Sequence, residues 1–409
     1  MIEANPYLVP LPSPAQTDVA YVAVAEARGH LMRASQVCQM LHAEGLRVAP
    51  MVFGPHAVEF FQGASGMEAE ELSFGYSNAY GLDHSLDVTK TTHNILTYTF
   101  SATGARDMAA IMRRMSSARV LLNDLSTSPP MAALARLIGG PHLINVVSEN
   151  TYYALVNLDK LCENKTKGAI SKKFLDAMFY AATVNLVNTM DRSKWFKKEG
   201  VLHYLPPFVQ TESTARPSPC SWQGPSRSSK RLFVAYFNPE YRNKAFIGHL
   251  IELARRHDAF LHLVSEHAAD WHSDLASDRV QIVKQDFGMA TLVRKADLVI
   301  TAAGLALPLQ AYVAGTPLLV VVNRGHVEHA RNADVIAREG MGAVVDNWED
   351  APKGAAEALG MVTEPHLDLP ARTIAAWRSE ILALTSATEP VMRGPMPMIR
   401  SFREPLYCD

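Results

Sequence analysis

The chain has 409 residues and a formal net charge of −2, and 48 % of its residues are hydrophobic while 20 % are charged. This composition excludes a disordered chain and is typical of a globular protein large enough for two domains. The near-neutral charge argues against a nucleic-acid partner, since binding to the phosphate backbone requires clustered positive charge.

Cysteine usage and the start of the chain bear on the cellular compartment. The four cysteines, Cys38, Cys162, Cys220 and Cys408, lie far apart without metal-binding spacing, which is typical of reduced thiols. The first residues lack the basic and apolar regions of a secretion signal, and no apolar stretch approaches the roughly 20 residues of a membrane span. We therefore expect a cytoplasmic protein with no metal site. The seven lysines between 165 and 198 indicate a solvated surface rather than a membrane contact.

The first half of the chain alternates apolar strands with helical patterns. Residues 19–25 form a short apolar strand, a helical pattern follows and ends at Gly45, and residues 47–53 form the next strand. Strands joined by helices in this rhythm predict a parallel sheet with helices packed on its faces. The further predicted elements are strands at 120–123, 142–147 and 183–188, a helix at 130–137 and a short amphipathic segment at 192–199.

A linker separates this half from the next. Residues 211–230 are rich in Ser, Pro, Thr and Arg and contain few large apolar residues. After them the pattern restarts, with strands at 232–237, 260–264, 280–283, 298–301 and 318–323, helices at 246–255 and 289–295, and a final amphipathic helix at 371–384. We therefore predict a first domain at 1–207, a linker at 208–230, a second domain at 231–366 and a C-terminal segment at 367–409.

The first motif with chemical meaning follows the strand 19–25. Gly29 is predicted to permit a tight turn and to leave room for a substrate, and His30 lies at the start of the next helix. The positive potential of a helix start disfavours imidazolium, so the ring suits a general base. The alternative is that His30 only caps the helix and packs. Asp124, at the end of a strand, is placed to orient His30 or to cap a helix, and Glu149 is a similar candidate.

The second motif follows the strand 298–301. Small residues lead to a helix, and the first free N–H groups of that helix, around Gly304, Leu305 and Ala306, are predicted to hold a diphosphate. Gln310, about two turns into the helix, is placed to reach a ribose hydroxyl. Further on, Glu328 and His329 are predicted to lie on a loop that reaches sugar hydroxyls. The alternatives are an ordinary strand–helix turn and a solvated loop.

Together these motifs resemble those of a GT-B type glycosyltransferase, the class that includes the bacterial peptidoglycan GlcNAc transferase. The resemblance rests on Phe287-Gly288-Met289, Ala296-Asp297, Gly304, Ala314-Gly315-Thr316-Pro317 and Asn332-Ala333 in the second half and on Gly29-His30-x-x-Arg33 in the first. The first-half motif is also similar to that of the nucleotide-sugar hydrolase of pseudaminic acid synthesis.

The resemblance implies an α/β protein with two facing Rossmann-like domains, both built on parallel sheets, and a C-terminal helix that crosses back to the first domain. It implies that the first domain binds the acceptor, with His30 as the base and Gly29, Arg33 and Glu149 on the acceptor side. It also implies that the second domain binds the donor through Asn238, Phe287, Met289, Gly304, Leu305, Ala306, Gln310, Glu328, His329 and Asn332.

Several residues depart from the family pattern, including Phe237-Asn238-Pro239, which stands where a glycine-rich turn is expected. Ala302 stands where many members have a diphosphate-binding side chain, and Gln310 replaces a ribose-binding carboxylate. Glu328-His329 replaces an Asp-Gln pair. The loss of a charge-assisted contact weakens donor binding by roughly 1.5–3 kcal/mol.

Three functions are compatible with these residues. The first is an inverting, metal-independent transfer of a sugar from a UDP- or dTDP-sugar to a hydroxyl or amine of a small-molecule, glycan or lipid-linked acceptor. The second is hydrolysis of the nucleotide sugar, with His30 activating water. The third is a non-catalytic protein that binds a ligand or partner. We predict the first, with the nucleoside-diphosphate sugar as co-substrate and no cofactor.

Overall fold

The computed structural model describes residues 8–24, 28–73, 79, 87–124, 126, 140–157, 165–210, 230–237, 245–265, 277–284, 288–322 and 324–387. None of the helices formed by these residues is long and apolar enough to cross a membrane.

The first half folds into an eight-stranded sheet in the order β3-β2-β1-β4-β5-β6-β8-β7, in which only the β7–β8 pair is antiparallel. Helices cover both faces, so the strands near its centre are buried from end to end. The strands are β1 (Val19–Ala23), β2 (Val48–Phe53), β3 (Glu70–Leu72), β4 (Val120–Asp124), β5 (His142–Ser148), β6 (Val184–Asn188), β7 (Lys198–Glu199) and β8 (Leu202–Leu205). The helices are α1 (Arg28–Ala43), α2 (Pro55–Ser65), α3 (Val88–Thr99), α4 (Ala102–Met115), α5 (Glu149–Val156) and α6 (Lys165–Ala181).

The second half folds into a six-stranded, fully parallel sheet in the order β11-β10-β9-β12-β13-β14. Its strands are β9 (Arg231–Tyr236), β10 (Ala259–Val264), β11 (Val280–Val283), β12 (Leu298–Thr301), β13 (Leu318–Val321) and β14 (Ala343–Val345). Its helices are α7 (Ala245–Arg256), α8 (Met289–Lys295), α9 (Ala306–Ala314), α10 (Val327–Arg338) and α11 (Ala351–Gly360). In both sheets the strand order reverses at the middle, between β1 and β4 and between β9 and β12, which is where open α/β sheets bind ligands.

The predicted pair of α/β sheets is confirmed, but the segment 192–199 is not the predicted amphipathic piece. It contains a single turn of 3-10 helix, Arg192–Lys194, capped by the Asp191 side chain, followed by β7. Gly200, at φ 61°, then turns the chain into β8. The predicted helix 130–137 and residues 211–229 of the predicted linker lie outside the described residues, and the domain boundaries stay a prediction.

An amide ladder crosses the middle of the first sheet. Asn123, Asn145 and Asn185 occupy the same register position on β4, β5 and β6. Asn123 Nδ2 donates to Asn145 Oδ1 at 2.9 Å, and Asn145 Nδ2 donates to Asn185 Oδ1 at 3.0 Å. All three side chains are buried, so each amide depends on the next for its hydrogen bonds.

The last described helix, α12 (Leu369–Thr385), crosses from the second sheet to the first, as predicted. Its first residue packs in the core of the second sheet, whereas Trp377 and Ile381 are fully buried in the core of the first. The Phe208 and Trp377 rings meet edge to face with centroids 5.2 Å apart. The helix therefore joins the hydrophobic cores of both sheets.

Replacing Trp377 with alanine is expected to destabilise the protein by about 3–5 kcal/mol, because it leaves a large cavity in the first core. We expect a clear fall in the thermal unfolding midpoint, measured by circular dichroism. Val362→Ala is the control, since Val362 is 96 % exposed. Equal midpoints for the two variants would contradict the burial of α12 on the first sheet.

Candidate active site

Three polar side chains meet at the carboxyl edge of the first sheet. The spacing of three residues on α1 places His30 and Arg33 on the same side of the helix, facing the end of β4. Asp124, the last residue of β4, is fully buried beneath them. His30 Nδ1 lies 2.6 Å from Asp124 Oδ1 and 2.9 Å from Arg33 Nη2. Because the shorter contact is to a carboxylate, we assign the proton to Nδ1, which leaves Nε2 as the basic nitrogen.

The Asp124 carboxylate is held from several sides. Arg33 donates to it twice, from Nε to Oδ2 at 2.9 Å and from Nη2 to Oδ1 at 2.6 Å, and the Tyr21 hydroxyl donates to Oδ2 at 3.2 Å. Burial alone would raise the pKa of Asp124, but the charges of Arg33 and His30 and their hydrogen bonds lower it to about 2. Burial, with the nearby carboxylate, raises the pKa of Tyr21 well above its ordinary value, so the phenol remains a donor.

The backbone at the two predicted glycines has a conformation that other residues also adopt. Gly29 lies in the first turn of α1 and Gly304 precedes α9, and neither has a left-handed backbone conformation. The prediction that Gly29 permits a tight turn is therefore wrong. At both positions, however, no described atom lies within 4 Å of the place where a Cβ would stand. Each glycine leaves open space at a helix start.

The second predicted motif lies at the carboxyl edge of the second sheet. Gly304 N donates to Ala302 O at 2.8 Å, and α9 begins at Ala306 with Leu305 as its N-cap and no side-chain cap. Backbone N–H groups at such a helix start lack partners within the helix, so they suit an anion. Gln310 lies one turn into α9, not two, because the helix begins later than the pattern indicated, and it is buried.

Glu328 and His329 do not lie on a loop, as the sequence pattern indicated. They stand in the first turn of α10, because the ring of His326 caps this helix by accepting a hydrogen bond from His329 N at 3.3 Å. The two imidazole rings stack with centroids 3.9 Å apart, and His329 is only 4 % exposed. Burial lowers the pKa of His329 well below its usual value, and its Nδ1 has no hydrogen-bond partner.

The carboxyl edges of the two sheets face each other across direct contacts. Both oxygens of Glu328 accept hydrogen bonds from the first domain, Oε1 from Ser148 Oγ and Oε2 from Thr151 Oγ1, each at 2.9 Å. Asn332 donates through Nδ2 to Ala303 O at 2.8 Å and accepts through Oδ1 from Asn150 Nδ2 at 2.6 Å. Asn332 thus connects the Gly304 turn to the start of α5.

The remaining predicted residues lie apart from these contacts. The Glu149 carboxylate binds Thr189 Oγ1 and Lys194 Nζ, so no contact brings it to His30. Met289 begins α8 and packs, partly buried, against the second core. Asn238 and Phe287 lie outside the described residues. Within the described ranges, no group of three or more His, Cys, Asp or Glu side chains could hold a metal ion.

Four residues that contact the predicted site residues were not singled out from the sequence. Tyr21 lies in an apolar strand, where nothing distinguishes its hydroxyl from the rest of the strand. Ser148 ends β5, Thr151 lies in the first turn of α5, and His326 is the N-cap of α10. A polar residue at a strand end or a helix start was the available signal.

No protein-family model and no curated protein matches the sequence, whereas solved structures do. The calicheamicin glycosyltransferase is 14 % identical, with a TM-score of 0.59, and the match covers 92 % of this chain and 100 % of that one. A spinosyn rhamnosyltransferase complexed with its aglycone is 16 % identical (TM-score 0.58, covering 90 % and 97 %). The same enzyme complexed with thymidine diphosphate is 15 % identical (TM-score 0.56, covering 90 % and 96 %). The chain has the GT-B fold.

The first motif and the Gly304 turn stand at the carboxyl edges of their sheets, these edges meet through Glu328 and Asn332, and the region between the edges is the cleft. The predicted architecture of two facing parallel sheets is thereby confirmed. The chemical roles of the individual side chains remain a proposal, because similarity at this level of identity establishes the fold alone.

The ionised Asp124 is expected to make the first domain acid-sensitive. Its pKa is about 2 in the folded protein against 3.8 for the free side chain, so its ionisation stabilises the fold above pH 3.8. This contribution, about 2 kcal/mol, is lost as the pH falls through 3.8 towards 2. Urea unfolding at several pH values measures it. Asp124→Asn is expected to lack this pH dependence, whereas Asp278→Asn, at an exposed residue, should retain it. An unchanged pH profile in Asp124→Asn would contradict the assignment.

Proposed function

We propose that the protein transfers a sugar from a nucleoside-diphosphate sugar to a hydroxyl or amine of a small-molecule acceptor, without a metal and with inversion at the anomeric carbon. The observation that carries the proposal is the contact between His30 Nδ1 and the buried Asp124 carboxylate at an edge of the cleft. Such a pair is the arrangement that general-base catalysis requires, a proton acceptor with an orienting partner.

In the proposed reaction, His30 Nε2 removes the proton of the acceptor hydroxyl. The oxygen attacks the anomeric carbon from the face opposite the leaving group, the bond to the diphosphate oxygen breaks, and the configuration inverts. The proton stays on His30 until it is released to solvent. Asp124 stabilises the imidazolium through Nδ1–H and remains ionised, because Arg33 holds both of its oxygens.

The departing nucleoside diphosphate needs compensation for its negative charge. The N–H groups at the start of α9, where no side-chain cap is present, are suited to this role. The open space over Gly304 lets a phosphate approach the backbone. Among the solved structures with this fold, the spinosyn rhamnosyltransferase was obtained with thymidine diphosphate and with an aglycone, which supports a dTDP- or UDP-sugar and a small-molecule acceptor here.

A thermal-shift screen with UDP-, dTDP-, GDP- and CMP-sugars tests the donor class. We expect a UDP- or dTDP-sugar to raise the unfolding midpoint, since a ligand that binds only the folded state stabilises it. Release of free sugar without an acceptor would favour a hydrolase that uses His30 to activate water. If no nucleotide sugar binds or is turned over, the proposal is wrong. That result would favour the alternative of a non-catalytic protein that binds a ligand or partner.

Replacing His30 with glutamine is expected to reduce kcat by roughly 10²–10⁴-fold, because the general base is lost. The donor affinity should change little, since His30 lies on the acceptor side. The measurement is the rate of nucleoside diphosphate release with the donor identified by the screen. His42→Gln is the matched control, an exposed histidine at the other end of α1. Full activity in His30→Gln would rule out the proposed base.

Replacing Gly304 with alanine is expected to weaken nucleoside diphosphate binding by about tenfold or more, because a methyl group fills the space that the phosphate needs. The unfolding midpoint should stay unchanged, since no described atom lies within 4 Å of the new Cβ. Titration calorimetry measures the affinity. Gly248→Ala, at an exposed glycine of α7, is the control. Unchanged affinity in Gly304→Ala would place the diphosphate elsewhere.

A further inference from the structure

The helix start at Gly304 has a neighbour at the same edge of the sheet, the first turn of α10. Strands β12 and β13 are neighbours in the sheet, so the helices that follow them begin at the same carboxyl edge. The contact from Asn332 Nδ2 to Ala303 O fixes the distance between α10 and the Gly304 turn. Ala303 and Ala333 pack in the same hydrophobic cluster beneath it. Two helix starts therefore converge on one place.

His329 lies on the side of α10 that faces this place. It precedes Asn332 by three residues and Ala333 by four, the spacings that place side chains on one face of a helix. His329, Asn332, Ala333 and Ile336 are the buried residues of α10. His329 is therefore one turn nearer the helix start than the side chain that contacts Ala303.

We propose that His329 is the side chain that binds the diphosphate of the donor, together with the N–H groups at the starts of α9 and α10. This inference rests on the proposed function, because it assigns the diphosphate contact within the same site. It differs from the sequence-based expectation that His329 reaches sugar hydroxyls.

The state of the His329 ring supports this assignment. Its Nδ1 is buried and has no hydrogen-bond partner, and such an orphaned polar atom costs roughly 1–3 kcal/mol. The His329 ring stacks on His326, and the residue is only 4 % exposed. The ring is therefore held in place before any ligand binds. If Nδ1 of His329 carries the proton, it needs a hydrogen-bond acceptor, and a phosphate oxygen is a strong one.

Among the residues that the structure describes, the charged side chains near the ring already have partners. On α10 the nearest are Glu328, whose oxygens are held by Ser148 and Thr151, and Arg331, whose guanidinium stacks 3.3 Å from the Tyr153 ring. On α5, Glu149 is paired with Lys194. The sequence of α9 contains no charged residue, and the loop before α10 contributes Arg324, which pairs with Asp334 and Asp346. His326, stacked on the ring, is the remaining titratable neighbour.

A proton is expected to enter with the ligand. Burial and the adjacent His326 lower the pKa of His329, so the ring is neutral in the empty site. A bound diphosphate diester carries two negative charges that do not titrate near neutral pH, and it favours imidazolium at this position. Binding should therefore draw a proton from solvent, and it should weaken as the pH rises.

The experiment is titration calorimetry of the full chain with dTDP-glucose and UDP-glucose, repeated in two buffers of different ionisation enthalpy at about pH 7. The difference in apparent enthalpy between the buffers gives the number of protons taken up. His329→Gln is expected to bind roughly ten- to a hundredfold more weakly and to lose the proton uptake.

His257→Gln is the matched control, because His257 is a partly buried histidine just beyond the C-terminal end of α7, at the opposite edge of the second sheet. Unfolding midpoints of all variants show whether each is folded. If His329→Gln does not fold, wild-type binding without proton uptake would by itself overturn the inference.

Inorganic pyrophosphate separates this inference from the proposed function. Wild-type binding of pyrophosphate that is weakened in His329→Gln, with no binding of any nucleotide sugar, would support the anion pocket and reject the transferase. Nucleotide-sugar binding that is equal in wild type and His329→Gln would support the transferase and reject the role of His329. Absence of binding by all probes would reject both.

Discussion

The geometry of the cleft depends on one buried ion pair. Asp124 and Arg33 are both removed from solvent, and each is tolerable there only because the other is present. The pair forms only when β1, α1 and β4 have packed correctly, and Tyr21 from β1 completes it. His30 is thus attached to a part of the molecule that cannot move without breaking the core. The packing of β1, α1 and β4 therefore determines the position of His30 Nε2, the basic nitrogen of the site.

The two halves meet through apolar contacts, in which Met190 and Trp195 of the first half pack in the core of the second sheet, and through polar contacts beside them. Near the cleft, Glu328 accepts from two hydroxyls of the first domain, and Arg331 stacks on Tyr153. At the other end of α10, Arg192 pairs with Glu339 and donates to the Tyr312 hydroxyl. Among the described residues, α12 joins both cores, and Phe196 also packs against both of them.

The sequence predicted the sheets well because buried parallel strands read as continuous apolar runs. It also offered Asp124 as a partner of His30, beside helix capping, since Asp124 ends β4 and His30 begins the helix after β1 at the same edge. The prediction from the sequence failed at Glu328 and His329, where the local pattern does not show that a residue is buried. Glu328 and His329 follow Gly325 in a polar stretch that reads as a loop, and a histidine cap at His326 is an unusual start for a helix. The contacts of Glu328 and Asn332 with the first half could not be predicted, because strand and helix patterns carry no information on which residues of the two halves meet.

The amide ladder fixes the register of β4 and β5, and therefore how far the ends of these two strands extend at the carboxyl edge of the sheet. Asn123 immediately precedes Asp124, and side chains alternate between the faces of a strand. A slip of β4 by one residue would turn the carboxylate away from α1 and break the hydrogen bond between Asn123 and Asn145 in a buried part of the sheet. Because the same ladder includes Asn145 on β5, it also sets the level of Ser148, three residues further on. The row of three carboxamides thus fixes the position of Asp124, which binds the His30 imidazole, relative to the position of the Ser148 hydroxyl.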